Sequence, residues 1–216
     1  MSFTAPTYSA AQVRAAEAPL LAAGVPLMRR AAAALAEVIA EHPPTRMLVL
    51  AGAGDNGGDA LFAASTLAGS GIRTDILRTS DRVHEEALAA ATDAGARTLP
   101  SDRIDPSAYD LVVDGILGIG ARGSLRGTAR DVVAALLPVL PPVVAVDLPS
   151  GLDPDTGAAD AVVLPATTTV TFGAVKAGLV TGDGPRLCGR LVLVELGLQL
   201  GEPVGTASVA EVRGRG

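Results

Sequence analysis

Short apolar runs alternate with longer stretches of helical character along most of this chain. Met47 to Ala51, Arg73 to Arg78, Tyr109 to Asp114, Val143 to Val146, Thr167 to Phe172 and Leu191 to Glu195 have the length and branched residues of strands. The unbroken apolar middle of several of them predicts burial on both faces. Between them, residues near 59–69, 84–94 and 129–137 read as helices, and Arg97-Thr98-Leu99 as a short extended segment. Two further helices open the chain over residues 9–23 and 26–41. Ser9 is the expected N-cap, Gly24-Val25-Pro26 the break between them and Pro43-Pro44 the stop, and Pro19 is expected to interrupt the first. Strands alternating with helices predict a Rossmann-like three-layer α/β/α fold with a mostly parallel central sheet and right-handed crossovers. Residues 1–200 read as a single domain, and 201–216 as a flexible tail or linker.

Composition narrows the picture. With 49% hydrophobic residues but only 2% aromatic and no Trp, the core must be packed with Ala, Val and Leu, which suits close helix-to-sheet contact. A formal net charge of −6 argues against nucleic acid as a partner. The chain lacks an uninterrupted apolar run of membrane-spanning length and an opening basic-then-apolar pattern, so a cytoplasmic protein without membrane contact is the expectation. Cys188 is the single cysteine, read as a small buried residue, and His42 and His84 read as surface residues. A thiolate-rich metal site, a histidine zinc site and a Ser-His-Asp triad are thereby disfavoured.

Three predicted strands end in loops that combine glycine with carboxylate: Asp55 to Asp59, Asp114 to Gly123 and Asp147 to Asp153. Parallel, central strands would bring all three to one sheet edge, where open α/β sheets bind ligands. The first loop follows its strand as Gly52-Ala53-Gly54-Asp55-Asn56-Gly57-Gly58-Asp59 and opens a helix, whose free N–H groups and dipole favour an anion such as a phosphate. Its four glycines suggest a backbone that bends through positive φ. It meets G-x-G-x-x-G formally, but the next strand does not end in an acidic residue to hold a ribose.

These residues carry a resemblance. The first loop resembles the G-x-G-N-N-G-G-D-G signature of the NAD(P)H-hydrate epimerase family, the YjeF N-terminal domain. Asp114-Gly115-Ile116-Leu117-Gly118-Ile119-Gly120, Val146-Asp147-Leu148-Pro149-Ser150-Gly151-Leu152-Asp153 and Thr171-Phe172-Gly173-Ala174-Val175-Lys176-Ala177-Gly178 are similar to its later motifs, in the same order. The opening Gln12-Val13-Arg14-Ala15-Ala16-Glu17 is similar to the family's start, so the likeness runs over roughly residues 9–198. Two positions depart from it: Asp55 stands for the family's first Asn, and Ala60 for the Gly after the Asp.

The resemblance implies an isomerase that interconverts the R and S epimers of hydrated NADH and NADPH, a nicotinamide-nucleotide repair activity. It implies substrate contacts from Asp55, Asn56, Gly57, Gly58 and Asp59 and from Gly118, Ile119, Gly120, Ala121, Arg122, Gly123 and Ser124, with Asp147 as the substrate-contacting carboxylate. It also implies a potassium ion held by Asn56, Asp114 and Ser150, an oxygen set that suits a hard cation. Asp147 is the candidate catalytic group, acting as acid and then as base while the ring nitrogen expels the hydroxyl as water. Lys176 is expected either near the phosphates or nicotinamide, or simply exposed, and Arg122 and Arg126 could offer charge to the pyrophosphate. Expected partners are a second copy, paired through residues 9–41, and an NAD(P)H-hydrate dehydratase, fused or separate. The competing readings are a non-catalytic nucleotide-binding or protein-interaction scaffold of the same fold, and another nucleotide or sugar-phosphate enzyme.

Overall fold

The computed structural model describes residues 2–120 and 124–214. A first strand, β1 (Phe3–Tyr8), leads through α1 (Ala10–Ala22) and α2 (Leu27–Ala40) to β2 (Arg46–Ala51). Strands and helices then alternate as α3 (Asp55–Gly69), β3 (Arg73–Arg78), α4 (Glu85–Asp93), β4 (Arg97–Thr98), β5 (Leu111–Gly115), α5 (Gly127–Leu136) and β6 (Val143–Val146). Beyond a long connection lie β7 (Thr168–Phe172), β8 (Val175–Lys176), the single turn α6 (Gly184–Leu187), β9 (Arg190–Val194), β10 (Gly205–Val209) and β11 (Glu211–Arg213).

Eight of these strands form one sheet in the order β11-β9-β7-β6-β5-β2-β3-β4, with every pairing parallel. The chain builds outward from β2 to β4, then returns to add β5 on the other side of β2. The switch point between β2 and β5 opens a crevice at their carboxyl ends, the edge predicted to carry the site.

The alternation of side chains across the pleat divides the core. Met47, Val49 and Ala51 of β2 face α2, α3 and α4, whereas Leu48 and Leu50 face α5 on the opposite side. That opposite side is completed by a small sheet of order β10-β1-β8, which buries Ala5, Val175, Ala207 and Val209 against Leu191 and Leu193 of β9. The three-layer reading therefore holds, with part of one layer made of strands. Alanines at Ala31, Ala32 and Ala36 of α2 and Ala60, Ala63 and Ala64 of α3 make the helix layer thin and close-set, as the aromatic-poor composition requires.

Several expectations change. Helix α3 begins at Asp55 rather than near 59, so the glycine pair lies inside its first turn. The four glycines of the loop do not adopt positive φ; Gly54 has φ −98°. Their role is close approach: a Cβ on Gly52 would overlap the Ile116 carbonyl, one on Gly57 the Gly52 carbonyl, and one on Gly58 would stand 2.8 Å from Met28 Sδ. Pro19 does not interrupt α1, which continues to Ala22 with its capping box of Ser9 and Gln12 in place. The segment after residue 200 is not a loose tail: β10 pairs antiparallel with β1, and β11 extends the main sheet beside β9. Its short, half-exposed strands lack the apolar runs that mark the central ones, as does β1.

At the far edge, Asp75 of β3 is buried and binds Arg46 of β2 at 2.6 Å, Arg97 of β4 at 2.8 Å and the Tyr109 hydroxyl at 3.2 Å. Burial opposes its charge, but the hydrogen bonds and charges of the two arginines outweigh burial and hold its carboxyl below the usual range. Asp75→Asn is expected to cost roughly 2 kcal/mol in urea unfolding at neutral pH, the worth of hydrogen bonds to charge. Because the folded carboxyl is the stronger acid, that gap is complete above the ordinary carboxylate range and closes as pH falls through the depressed folded value.

Candidate active site

The crevice at the switch point is shaped by backbone contact. The Gly52 N–H donates to the Gly115 carbonyl at 3.0 Å, which extends the β2–β5 pairing past the strand ends. A Cβ on Gly115 would approach the Ala60 side chain to 2.6 Å, and one on Gly118 would overlap the Asn56 amide. The first turn of α3 is thereby pressed against the loop that follows β5.

Asn56 is the pin between loops. Its Nδ2 donates to the carbonyls of Leu117 at 3.1 Å and Val146 at 2.5 Å, one at the end of β6 and one in the loop after β5. Ser150 binds the same loop: its Oγ accepts from the Leu117 N–H at 2.9 Å and donates to Asp114 at 2.6 Å. Asp114 is fully buried and also accepts from the N–H groups of Ser150 at 2.8 Å and Ile116 at 3.3 Å. Burial pushes its carboxyl up, against the pull of these donors, because none of them carries charge. Asn56, Asp114 and Ser150 thus converge around an oxygen-rich centre that includes two backbone carbonyls.

Beside that centre lies a chamber of about 200 Å³, walled by Leu21, Leu27, Met28, Ala31, Ile119, Phe172 and Leu196 and by the polar Glu17, Asp55, Asn56, Asp59 and Asp147. Asp147 follows β6 in a left-handed conformation, φ +70°, which its N–H fixes by donating to Val170 at 2.8 Å. Its Oδ1 accepts from Lys176 Nζ, from Thr171 Oγ1 at 3.2 Å and from the Phe172 N–H at 3.1 Å. Lys176, only 1% exposed, is neither at the surface nor free to reach a phosphate. It sits behind Asp147 and also donates to the Phe172 carbonyl at 2.8 Å. The β1–β8 pairing holds the lysine backbone there, a placement that a glycine-rich sequence context does not reveal.

Three other carboxyls line the chamber, those of Glu17, Asp55 and Asp59. Burial, reinforced by the charges of Asp147 and Asp55, raises Glu17 despite the nearby Lys176. Asp59, on the first turns of α3, is pushed well above the carboxylate range by burial and then by Asp147, Asp55 and Glu17. Glu17 is the residue that sequence reasoning passed over. It lies in an alanine-rich helical run, and nothing in that run says that α1 crosses the sheet edge. The anchor is remote: Asp155, in the connection after β6, caps α1 by accepting from the Ala10 N–H at 2.7 Å.

The other expected contacts line adjoining spaces. Ile119 is shared with a cavity of about 550 Å³ that also includes Gly118, Ser124 and Arg14. Gly118, Gly120, Asp55 and Asn56 border a groove of about 710 Å³ at the mouth of α3. Gly57 and Gly58 are buried, clearing space for Gly52 and Met28. Ala121, Arg122 and Gly123 lie outside the described residues. Arg126 precedes α5 and lines a separate groove with Arg78. His84 caps α4 with its ring on Phe62, and Cys188 is a buried thiol pushed up to about 12 by that burial.

Residues 24–178 match the family described as YjeF-related protein N-terminus. The chain belongs to this family. A Microbacterium testaceum protein named NAD(P)H-hydrate epimerase is 58% identical over 95% of this chain and 86% of its own length. One of the same name from Clavibacter michiganensis is 53% identical over 89% of this chain and 91% of its own. The bifunctional NAD(P)H-hydrate repair enzyme Nnr of Mycobacterium tuberculosis is 45% identical over 89% of this chain, which corresponds to 42% of that longer protein. The crystal structure of yeast ynu0 shares the fold, with a TM-score of 0.70 at 22% identity over 80% of this chain and 82% of that one.

In this member of the family the Asp147–Lys176 pair is buried on both sides, so removing one partner strands a charge. Lys176→Met is expected to cost about 3–5 kcal/mol in chemical denaturation. The double variant Lys176→Met with Asp147→Asn is expected to recover most of that loss.

Proposed function

We propose that this protein is an NAD(P)H-hydrate epimerase that interconverts the R and S epimers of hydrated NADH and NADPH. The observation that carries the reading is the Asp147 carboxylate, set at the switch-point edge with all three of its donors on Oδ1 and its side chain on a small, largely apolar chamber. The chamber has room for one ring rather than a dinucleotide. The adjoining groove at the α3 N-terminus and the cavity beyond Ile119 provide the space for the rest. The names of the relatives similar over most of their length support the same substrate class.

In the hydrated cofactor the hydroxyl is on a carbon bonded to the ring nitrogen. Once that hydroxyl is protonated, the C–O bond breaks, the oxygen leaves as water, and the nitrogen lone pair becomes the second bond of a C=N⁺ cation. Water then adds to either face of the flattened ring and gives up a proton. Asp147, held by Lys176, stabilises the cation and takes the proton from the entering water. The apolar walls limit the water that reaches the cation and strengthen its attraction to Asp147.

Potassium fits the centre beside the chamber. Among the described residues Asp114 is a buried carboxylate without a cationic partner, and Ser150, Asn56 and the carbonyls of Leu117 and Val146 surround it with oxygen and amide groups. An asparagine that here donates to two carbonyls presents an oxygen when its amide is turned, completing an all-oxygen set for a hard monovalent cation. Once bound, the ion supplies the positive charge that Asp114 lacks and fixes the three loops together. Asp55, in place of the family's amide, adds negative charge at the α3 mouth, where it favours the helix dipole and opposes a phosphate.

The same reading makes the protein cytoplasmic, a homodimer joined through the early helices, where Leu21 is 58% exposed, and the supplier of one epimer to an NAD(P)H-hydrate dehydratase. The bifunctional relatives support the coupling to a second activity.

Purified protein is expected to accelerate exchange between R- and S-NAD(P)HX, followed by NMR or chromatography against the uncatalysed rate. Asp147→Asn should lower that acceleration by roughly 10²–10⁴, the range for a group that transfers protons in the transition state. Unchanged exchange in a folded variant would remove Asp147 from the mechanism. Nucleotide bound without any exchange would favour the scaffold reading. Exchanging sodium for potassium is expected to raise the melting temperature of the parent, and Asp114→Asn should abolish that response.

A further inference from the structure

The reaction as written needs a proton for the departing hydroxyl, and the Asp147 side chain is committed to Lys176. We infer that Asp59 is the acid of this site: it stands in the chamber as a neutral carboxylic acid and delivers that proton.

The inference rests on the epimerase reading and on the surroundings of one side chain. Asp59 is 6% exposed, and its Oδ1 is buried without a hydrogen-bond partner. An ionised carboxylate in that position would carry the full cost of lost hydration, because among the described residues it has no cation in contact and no donor on that oxygen. The charged groups around it come from α1, α3, the turn after β6 and β8, while α2 gives the chamber only Leu27, Met28 and Ala31. Glu17 is on α1, Asp55 one turn earlier on α3, and Asp147 follows β6; among the described residues Lys176 of β8 is the one positive charge, and it is bound to Asp147. Three carboxyls face Asp59, and the lysine that could offset them is already paired. Burial and those three groups push its carboxyl well above the ordinary range, in the direction an acid needs at neutral pH. The structural alternative, a carboxylate stabilising the start of α3, would call for hydrogen bonds to its own helix end; none is made by the Asp59 side chain among the described residues.

The two carboxyls then divide the labour. The Asp59 O–H proton passes to the hydroxyl oxygen as the C–O bond breaks, leaving Asp59 as carboxylate, water as the leaving group and the ring as C=N⁺. The entering water forms the new C–O bond on the other face and loses its proton to Asp147. Water in the chamber returns that proton from Asp147 to Asp59, so the pair holds one proton before and after turnover and no other reactant is consumed. For the opposite epimer the steps run in reverse.

Asp59→Asn keeps the shape and removes the transferable proton. It is expected to lower epimer exchange by roughly 10²–10⁴ with little change in KM. In the parent, kcat should fall as pH rises through the Asp59 value, since only the protonated acid works, and that alkaline limb should be absent from the residual activity of the variant. A carboxyl carbon titration of aspartate-labelled parent protein reads the same property, and should show an aspartate still protonated at neutral pH that Asp59→Asn removes and Asp114→Asn leaves in place. A folded variant with parental kcat and pH profile would overturn the assignment. So would a parent in which every aspartate is ionised at neutral pH, an arm that stands even if Asp59→Asn fails to fold. If the parent exchanges no epimers, the epimerase reading fails and the assignment falls with it; parental exchange with an indifferent Asp59→Asn sinks the assignment alone.

Discussion

The carboxyl ends of β2 and β5 approach so closely that side chains are excluded between them, and the site depends on that approach. Gly52 lies against the Ile116 backbone, Gly57 against Gly52, Gly115 against Ala60 and Gly118 against Asn56. Each contact lacks room for a Cβ. Together they seat the first turn of α3 on the loop after β5 and bring the Asn56 amide to the carbonyls of both neighbouring loops. The glycines act as spacers rather than as hinges, and the rigidity they allow is what a site with several buried polar groups needs.

Carboxyl groups are concentrated where hydration is poor. Asp114, Asp147, Asp59 and Glu17 gather within one edge of the sheet, and the compensation offered to each is different. Asp114 has neutral donors, Asp147 has a buried lysine and two further donors, and Asp59 lacks a partner on its buried oxygen. Burial costs an unpaired carboxylate most and a paired one least, so the same residue type meets different electrostatic environments over a short span.

The outer elements serve this centre at a distance. Strand β1 holds β8 and hence Lys176, while β10 covers the far side of β1. Asp155 caps α1, so that Glu17 reaches the chamber from a helix that contributes few residues to the core. A change in these strands would therefore be felt as a displacement of charge around Asp147.

The chain's local pattern was enough for the α/β class, the central parallel strands and the shared edge of the three loops, because apolar period and glycine spacing are local properties. Within those loops it was the resemblance, not the pattern, that singled out Asn56, Asp114 and Ser150, each at or near the end of a readable strand. The environment of each carboxyl was decided by folding. Lys176 reads as a loop lysine until β1 pairs with β8 and buries it, and Glu17 as one acid among alanines until α1 is tied across the edge. Likewise, β10 and β11 have little apolar signal of their own and gain order only from the strands they join. Burial and charge pairing depend on partners tens to hundreds of residues away, so hydration, and with it the chemistry of Asp59 and Asp147, belongs to the tertiary structure.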